Sequence, residues 1–221
     1  MAYVLTHDEA KAFYDRFGSK QDLQRLYEDP AVEALLAHAG FESAEAVVEL
    51  GCGTGRLAAR LLRDELPRDA TYVGLDVSST MIALARERVA PWAARARVEQ
   101  TDGSMLLGLP DASADRFLST YVLDLLSEAD IAAALREARR VLRPGGRLCV
   151  ASLTVGHTAA SRLVARLWRA AHALRPKLVG GCRPLLVAET LGPDWAIAHR
   201  EVVCTLGLCS EIVVATAARD G

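Results

Sequence analysis

The sequence predicts an α/β domain with a doubly wound, mostly parallel sheet. Three observations carry this reading. Apolar runs of four to six residues begin at Ala46, each is followed by a turn containing Gly or Asp, and segments of helical period lie between them. Short apolar strands separated by helices bury both faces of a parallel sheet. At 221 residues, 51% hydrophobic and 24% charged, the chain can fill one sizeable core and is short for two.

In chain order, helix comes first. Thr6 and Glu9 have capping-box spacing ahead of Ala10, Phe13, Tyr14 and Phe17. Asp29 and Pro30 read as the N-cap and first residue of a second helix that stops at Gly40. Residues 1–44 are thus expected to form a helical N-terminal cap. The expected strands are 46–50 (AVVEL), 71–75 (TYVGL), 96–100 (ARVEQ), 115–122 (DRFLSTYV) and 146–153 (GRLCVASL). Helical stretches are expected near 55–65, 80–90 and 128–143. A helix at about 184–191 precedes strands at about 196–204 and 211–217. A turn at Gly207 makes these an antiparallel hairpin added to the sheet edge, for seven strands in all.

Composition excludes several classes. A formal net charge of -2 gives no global attraction to nucleic acid. The first ten residues contain acids and lack the apolar run of a signal peptide, so a cytoplasmic location is expected. The uncharged stretch 148–161 is shorter than the roughly 20 residues of a membrane span. Cys52, Cys149, Cys182, Cys204 and Cys209 show neither CxxC nor zinc-ligand spacing. Reduced, mostly buried thiols and no metal are expected.

The strongest local signal is Glu49-Leu50-Gly51-Cys52-Gly53-Thr54-Gly55, after one strand and opening a helix. In an open α/β sheet ligands bind there, and glycines let a ligand approach the main chain. A dinucleotide fingerprint would run G-x-G-x-x-G, whereas here the spacing is G-x-G-x-G with Arg56 where the third glycine belongs. The second strand ends in Asp76, placed to accept hydrogen bonds from ribose hydroxyls, although it could instead cap the next helix. After the third strand, Asp102 in Thr101-Asp102-Gly103-Ser104 could accept from an exocyclic amine. Together these sites lie along one sheet edge, as an extended adenosine ligand requires.

VVELGCGTGRLA, GLDVSSTMIALAR, TDGSMLLGLPDASADRFLSTYVL and LREARRVLRPGGRL resemble successive motifs of class I methyltransferases over about residues 45–152. FYDRFG and LRPGG further resemble the ubiquinone/menaquinone-biosynthesis branch. The resemblance implies a Rossmann-like fold, S-adenosylmethionine as cofactor and methyl transfer to a small-molecule acceptor. It implies that the loop with Gly51, Gly53 and Gly55 holds the methionine part, that Asp76 binds the ribose, and that Glu49, Cys52 and Val77 also bind the cofactor. Asp102 and Gly103 would read adenine, Met81 would pack on the base, and Thr120 and Tyr121 would flank the methyl group. On this basis 45–153 is the cofactor-binding core, 154–192 the acceptor-side helices and 193–221 the C-terminal strands of a single domain.

A sulfonium is already a strong electrophile, so a catalytic base is optional. Candidates are Asp124, His157 and, less favourably, Asp15, and the resemblance adds Tyr14, which equally reads as a core aromatic. Between 157 and 184, Arg162, Arg166, Arg169, Arg175, Lys177 and Arg183 alternate with Leu163, Val164, Leu167, Trp168 and Leu174. That basic amphipathic pattern suits a helix with its apolar face on the pocket, a membrane-surface helix serving a lipid-like or quinone acceptor, or a grip on an anionic substrate. The turn 179–184 (VGGCRP) could bring Cys182 or Arg183 to the pocket mouth. Two or more acids beside the methyl group would indicate an amine or metal-assisted acceptor, and an apolar cavity a quinone-like one. A nicotinamide-dependent oxidoreductase and a non-catalytic cofactor-binding module stay open as alternatives.

Overall fold

The computed structural model describes residues 4–218. A single seven-stranded sheet has the order β3-β2-β1-β4-β5-β7-β6. Its strands are β1 (Ala46–Leu50), β2 (Thr71–Asp76), β3 (Ala96–Gln100), β4 (Ala114–Thr120), β5 (Leu142–Thr154), β6 (Trp195–Thr205) and β7 (Leu208–Ala217). The first five pair in parallel, and β7 runs antiparallel to both β5 and β6. The helices are α1 (His7–Phe17), α2 (Arg25–Ala39), α3 (Arg56–Arg60), α4 (Ser79–Val89), α5 (Glu128–Val141), α6 (Ala159–Leu174) and α7 (Val187–Thr190).

Alternating side chains explain the three layers. Val47, Tyr72, Leu118 and Cys149 enter one core with Leu35 of α2, Ala58 of α3 and Ala85 of α4. Their neighbours Val48, Val73, Phe117 and Leu148 enter the other core with Ile131, Leu135 and Ala138 of α5. No helix among the described residues is long and apolar enough to cross a membrane.

The capping box forms as expected, with Glu9 N donating to Thr6 Oγ1 (3.2 Å) and Thr6 N to Glu9 Oε2 (3.1 Å). The second helix departs from expectation. It begins at Arg25, so Pro30 lies inside it instead of opening it. The carbonyl deprived of its intrahelical partner belongs to Leu26, which is exposed, so water can replace that bond. The helix ends before Gly40, whose φ of 69° completes the left-handed cap.

The terminal hairpin turns on Leu206 and Gly207, both with positive φ, between paired Thr205 and Leu208. Here the expectation of reduced thiols needs correction. Cys204 and Cys209, directly opposite on β6 and β7, form a disulfide, while Cys52, Cys149 and Cys182 are free. The hairpin register brings them together, a relation that their spacing of five does not announce.

Candidate active site

The site starts where β1 and β2 end. Gly51 has φ of +77°, and a Cβ there would sit 2.1 Å from Val122 Cγ2, so only glycine fits. The turn brings Gly53 N to Asp76 Oδ2 at 2.9 Å, while Ser78 N donates to Asp76 Oδ1 at 2.9 Å. Two main-chain donors leave lone pairs on this carboxylate. Desolvation nevertheless holds the Asp76 pKa above the ordinary carboxylate value. Gly55 lines no cavity described here: a Cβ on it would lie 2.8 Å from Ala85 Cα, so it lets α3 approach α4.

Two cavities meet at Gly51. The first, about 610 Å³, is mostly apolar, with Leu50, Val77, Met105, Val122 and Leu126 in its walls and Asp76, Thr101 and Ser104 among its polar groups. The second, about 490 Å³, is lined by Glu49, Cys52, Gly53, Thr54, Arg56, Thr120 and Tyr121, with Gln21, Asp22 and Glu28 opposite. Glu49 is fully buried and takes the Tyr72 hydroxyl proton as a hydrogen bond, and burial pushes its pKa up to about 7.

The N-terminal segment roofs both cavities. Thr54 Oγ1 donates to Asp22 Oδ1 (2.7 Å), and Arg88 reaches both Thr54 Oγ1 and Asp22 Oδ2 at 2.9 Å. Asp15 accepts from Ser78 Oγ (2.6 Å) and Thr80 N (3.2 Å) and pairs with Lys11 (2.7 Å). These partners outweigh desolvation and hold its pKa well below the usual carboxylate range. Asp15 therefore fastens α1 to the start of α4 and is not poised as a base.

A third cavity, about 330 Å³, shares Gln21, Glu28 and Tyr121 with the second and adds Tyr14, Tyr27, Asp124, Leu153, Trp168 and Cys182. Asp124 is fully buried. Its Oδ2 accepts from Leu153 N (3.0 Å), no hydrogen bond of good geometry reaches its Oδ1, and the Ser152 hydroxyl is near enough to draw the carboxyl's pKa down. Burial pushes Asp124 up to about 7, against the pull of Leu153 N–H and Arg183, and pushes Glu28 to about 7. Tyr121 at the end of β4 has φ of +56°, a conformation costly for a side chain of this size, and its hydroxyl meets Ser210 Oγ at 2.8 Å. Tyr14 donates to Gly180 O at 3.3 Å, and burial raises its pKa well above the ordinary phenol value.

The sequence-expected residues separate into groups. Glu49, Gly51, Cys52, Gly53, Thr120 and Tyr121 line the polar cavity, and Gly51, Asp76, Val77 and Gly103 line the apolar one. Tyr14, Asp124 and Cys182 line the third. Met81 is buried in α4 and lines none of the three. Asp102 is exposed and accepts from Ser104 N at 2.8 Å, so Thr101, Gly103 and Ser104 form that wall in its place. His157 is exposed in the turn before α6 and lines none of these cavities. Arg183 stays outside, donating its main-chain N to Asp124 O at 3.1 Å. Gln21, Tyr27 and Glu28 escaped the sequence reading because nothing local marks them. Elsewhere His38, His199 and Glu201 bring possible metal-ligand atoms within 4.8 Å of one another.

Residues 47–146 match the methyltransferase domain family. The match covers 100 of the 221 residues. The chain is 36% identical over 113 residues to methyltransferase GfsG of Streptomyces halstedii, covering 51% of this chain and 39% of that protein. It is 32% identical over 158 residues to the ubiquinone/menaquinone biosynthesis C-methyltransferase UbiE of Caulobacter vibrioides, covering 63% and 59%. The chain thus spans from about a third to about three-fifths of the curated relatives it matches, 34% to 59% in these comparisons. Among solved structures, the N-methyltransferase NodS of Bradyrhizobium japonicum, in complex with S-adenosylhomocysteine, superposes with a TM-score of 0.70 at 18% identity over 95% of this chain and 99% of that one. The [4+2]-cyclase SpnF superposes at 0.73 with 19% identity over 98% of both chains. These similarities establish the Rossmann-like fold, and a cyclase among them shows that the fold alone does not decide the reaction.

Proposed function

We propose that this protein binds S-adenosylmethionine across the two cavities joined at Gly51 and methylates a small molecule held in the third. The observation that carries this is the run of the cavities: an apolar chamber, a carboxylate at Asp76, then a polar chamber with both charge signs. An adenosine joined to an amino acid has that order of chemistry. Asp76 would hold the ribose hydroxyls, Val77 and Met105 the base, Arg56 the carboxylate, and Glu49 with the unpartnered Gln21 Oε1 the ammonium. The glycine at 51 lines both chambers, and a Cβ there would run into Val122 in the wall of the apolar one.

The cofactor supplies a methyl group on a sulfonium, a strong electrophile that needs no further activation. The protein's work is then orientation, exclusion of water and management of one proton. Tyr121 stands where the second and third cavities meet. Asp124 is the base in this reading, because it is buried in the acceptor cavity with one oxygen unpartnered. Tyr14 shapes the same cavity, and His157, outside it, takes no part. Calorimetry with S-adenosylhomocysteine on the wild type and Asp76→Ala tests the reading. Saturable binding, weakened at least about tenfold in the variant, is expected from the loss of hydrogen bonds to a charged group. Equal binding by the two proteins contradicts it.

A second reading concerns how the acceptor arrives. Leu163, Leu167, Leu174 and Leu178 are 56%, 63%, 84% and 67% exposed, beside Arg162, Arg166 and Arg169. An exposed leucine stripe flanked by arginines suits an anionic membrane surface. The protein is then expected to float with phosphatidylglycerol vesicles but not with phosphatidylcholine vesicles, and Leu163→Ser with Leu167→Ser is expected to stay at the bottom. Wild-type protein that stays at the bottom with both vesicles contradicts this.

A further inference from the structure

Resting on the methyl-transfer reading above, we propose that the cavity behind Tyr121 takes a small amine that enters as an ammonium ion. This cavity is the smallest of the three, so only a small molecule can enter it. Its lining contains two carboxylates, Glu28 and Asp124, and no Lys or Arg among the described residues. The other polar handles are already engaged: the Tyr14 hydroxyl with Gly180 O (3.3 Å), the Tyr121 hydroxyl with Ser210 Oγ (2.8 Å), the Trp168 indole N–H with Cys182 O (2.9 Å), the Tyr27 hydroxyl with the Glu28 carboxylate and the Cys182 thiol with Tyr14. With Gln21 Oε1 turned to the cofactor's ammonium, what remains without a partner on the lining is Asp124 Oδ1, a buried acceptor.

The missing chemistry is therefore a donor. A carboxylate brings no donor and meets two like charges, a quinone brings no donor, and a phenol brings one. An ammonium brings three N–H donors and a positive charge. The ring faces of Tyr, Trp and Phe attract cations, and four such rings, Tyr14, Tyr27, Tyr121 and Trp168, line this cavity. Burial, which costs an isolated carboxylate dearly, becomes favourable to binding when a cation fills the gap.

The same groups complete the reaction. One N–H proton passes from the ammonium to the Asp124 carboxylate, leaving a neutral amine with a free lone pair. That pair forms the N–C bond to the cofactor's methyl carbon while the C–S electron pair returns to sulfur, so the product is a methylammonium and a thioether. Asp124 then releases its proton to solvent, a step suited to a carboxyl whose burial has moved it to about 7.

The test uses the full chain saturated with S-adenosylhomocysteine and measures, by calorimetry, binding of methylamine, benzylamine and phenethylamine against the matching alcohols and carboxylates. At least one amine is expected to bind about tenfold or more tighter than its alcohol and its carboxylate. Asp124→Asn is expected to erase that preference while staying folded and keeping its S-adenosylhomocysteine affinity. Should that variant not fold, Glu28→Gln is expected to weaken the same preference. Retained S-adenosylhomocysteine binding with no amine preferred, or with no amine bound at all, overturns the amine assignment and leaves the methyl-transfer reading standing. Absence of S-adenosylhomocysteine binding overturns both.

Discussion

On one side of Tyr121 the walls come from consecutive residues at the ends of β1, β2 and β3, such as Glu49 to Thr54 and Asp76 to Val77. On the other side they come from single side chains of α1, α2, the turn after β4, α6 and the segment before α7. The first wall is a property of main-chain turns, and a turn must declare itself in neighbouring residues. The second is a convergence of distant side chains, each ordinary in its own stretch of sequence. The two regions consequently respond to different perturbations.

The largest expected effect falls on the turn. Gly55→Ala places a Cβ 2.8 Å from Ala85 Cα in a backbone with φ of +75°, and main chain cannot swing aside. A loss of about 2–4 kcal/mol in unfolding free energy is expected by urea titration, combining overpacking with backbone strain. A loss below about 0.5 kcal/mol would mean that α3 and α4 do not need this close approach.

Buried carboxyls on both sides of Tyr121 are expected to show themselves in pH dependence. Glu28, Glu49 and Asp124 each have folded-state pKa values of about 7, above their ordinary values of 4.5, 4.5 and 3.8. Between those limits the folded chain holds more protons than the unfolded chain, so stability falls as pH rises. His172, lowered by burial, works in the opposite sense up to its ordinary value of 6.5 but is one group against four, since Asp76 is raised as well. The ligand-free protein is thus expected to lose stability from about pH 5 to about pH 7 and to level off above. Asp124→Asn is expected to flatten that fall, and an unchanged slope would mean that Asp124 is not held protonated.

Much of the architecture was legible because its causes are local. The alternation of Val47 with Val48 and of Tyr72 with Val73 is visible as paired apolar residues, and both faces are buried. The Thr6 cap, the Gly40 stop and the Gly207 turn need only their neighbours. Pro30 misled because a 3-10 turn over 18–24 feeds straight into α2, so the helix was already formed when the proline arrived. The Cys204–Cys209 bond depends on hairpin register, and Glu28 or Tyr27 becomes a site residue only once α2 packs beside the strand ends. Asp102 and Met81 match motif positions, while Thr101, Gly103 and Ser104 line the cavity.

The central claim is that one region recognises the cofactor and the other the acceptor, with Tyr121 between them. Calorimetry with S-adenosylhomocysteine on Asp76→Ala and Asp124→Asn side by side tests it most directly. The account predicts affinity reduced at least about tenfold in the first and unchanged within about twofold in the second. Loss of affinity in Asp124→Asn with full affinity in Asp76→Ala would contradict it.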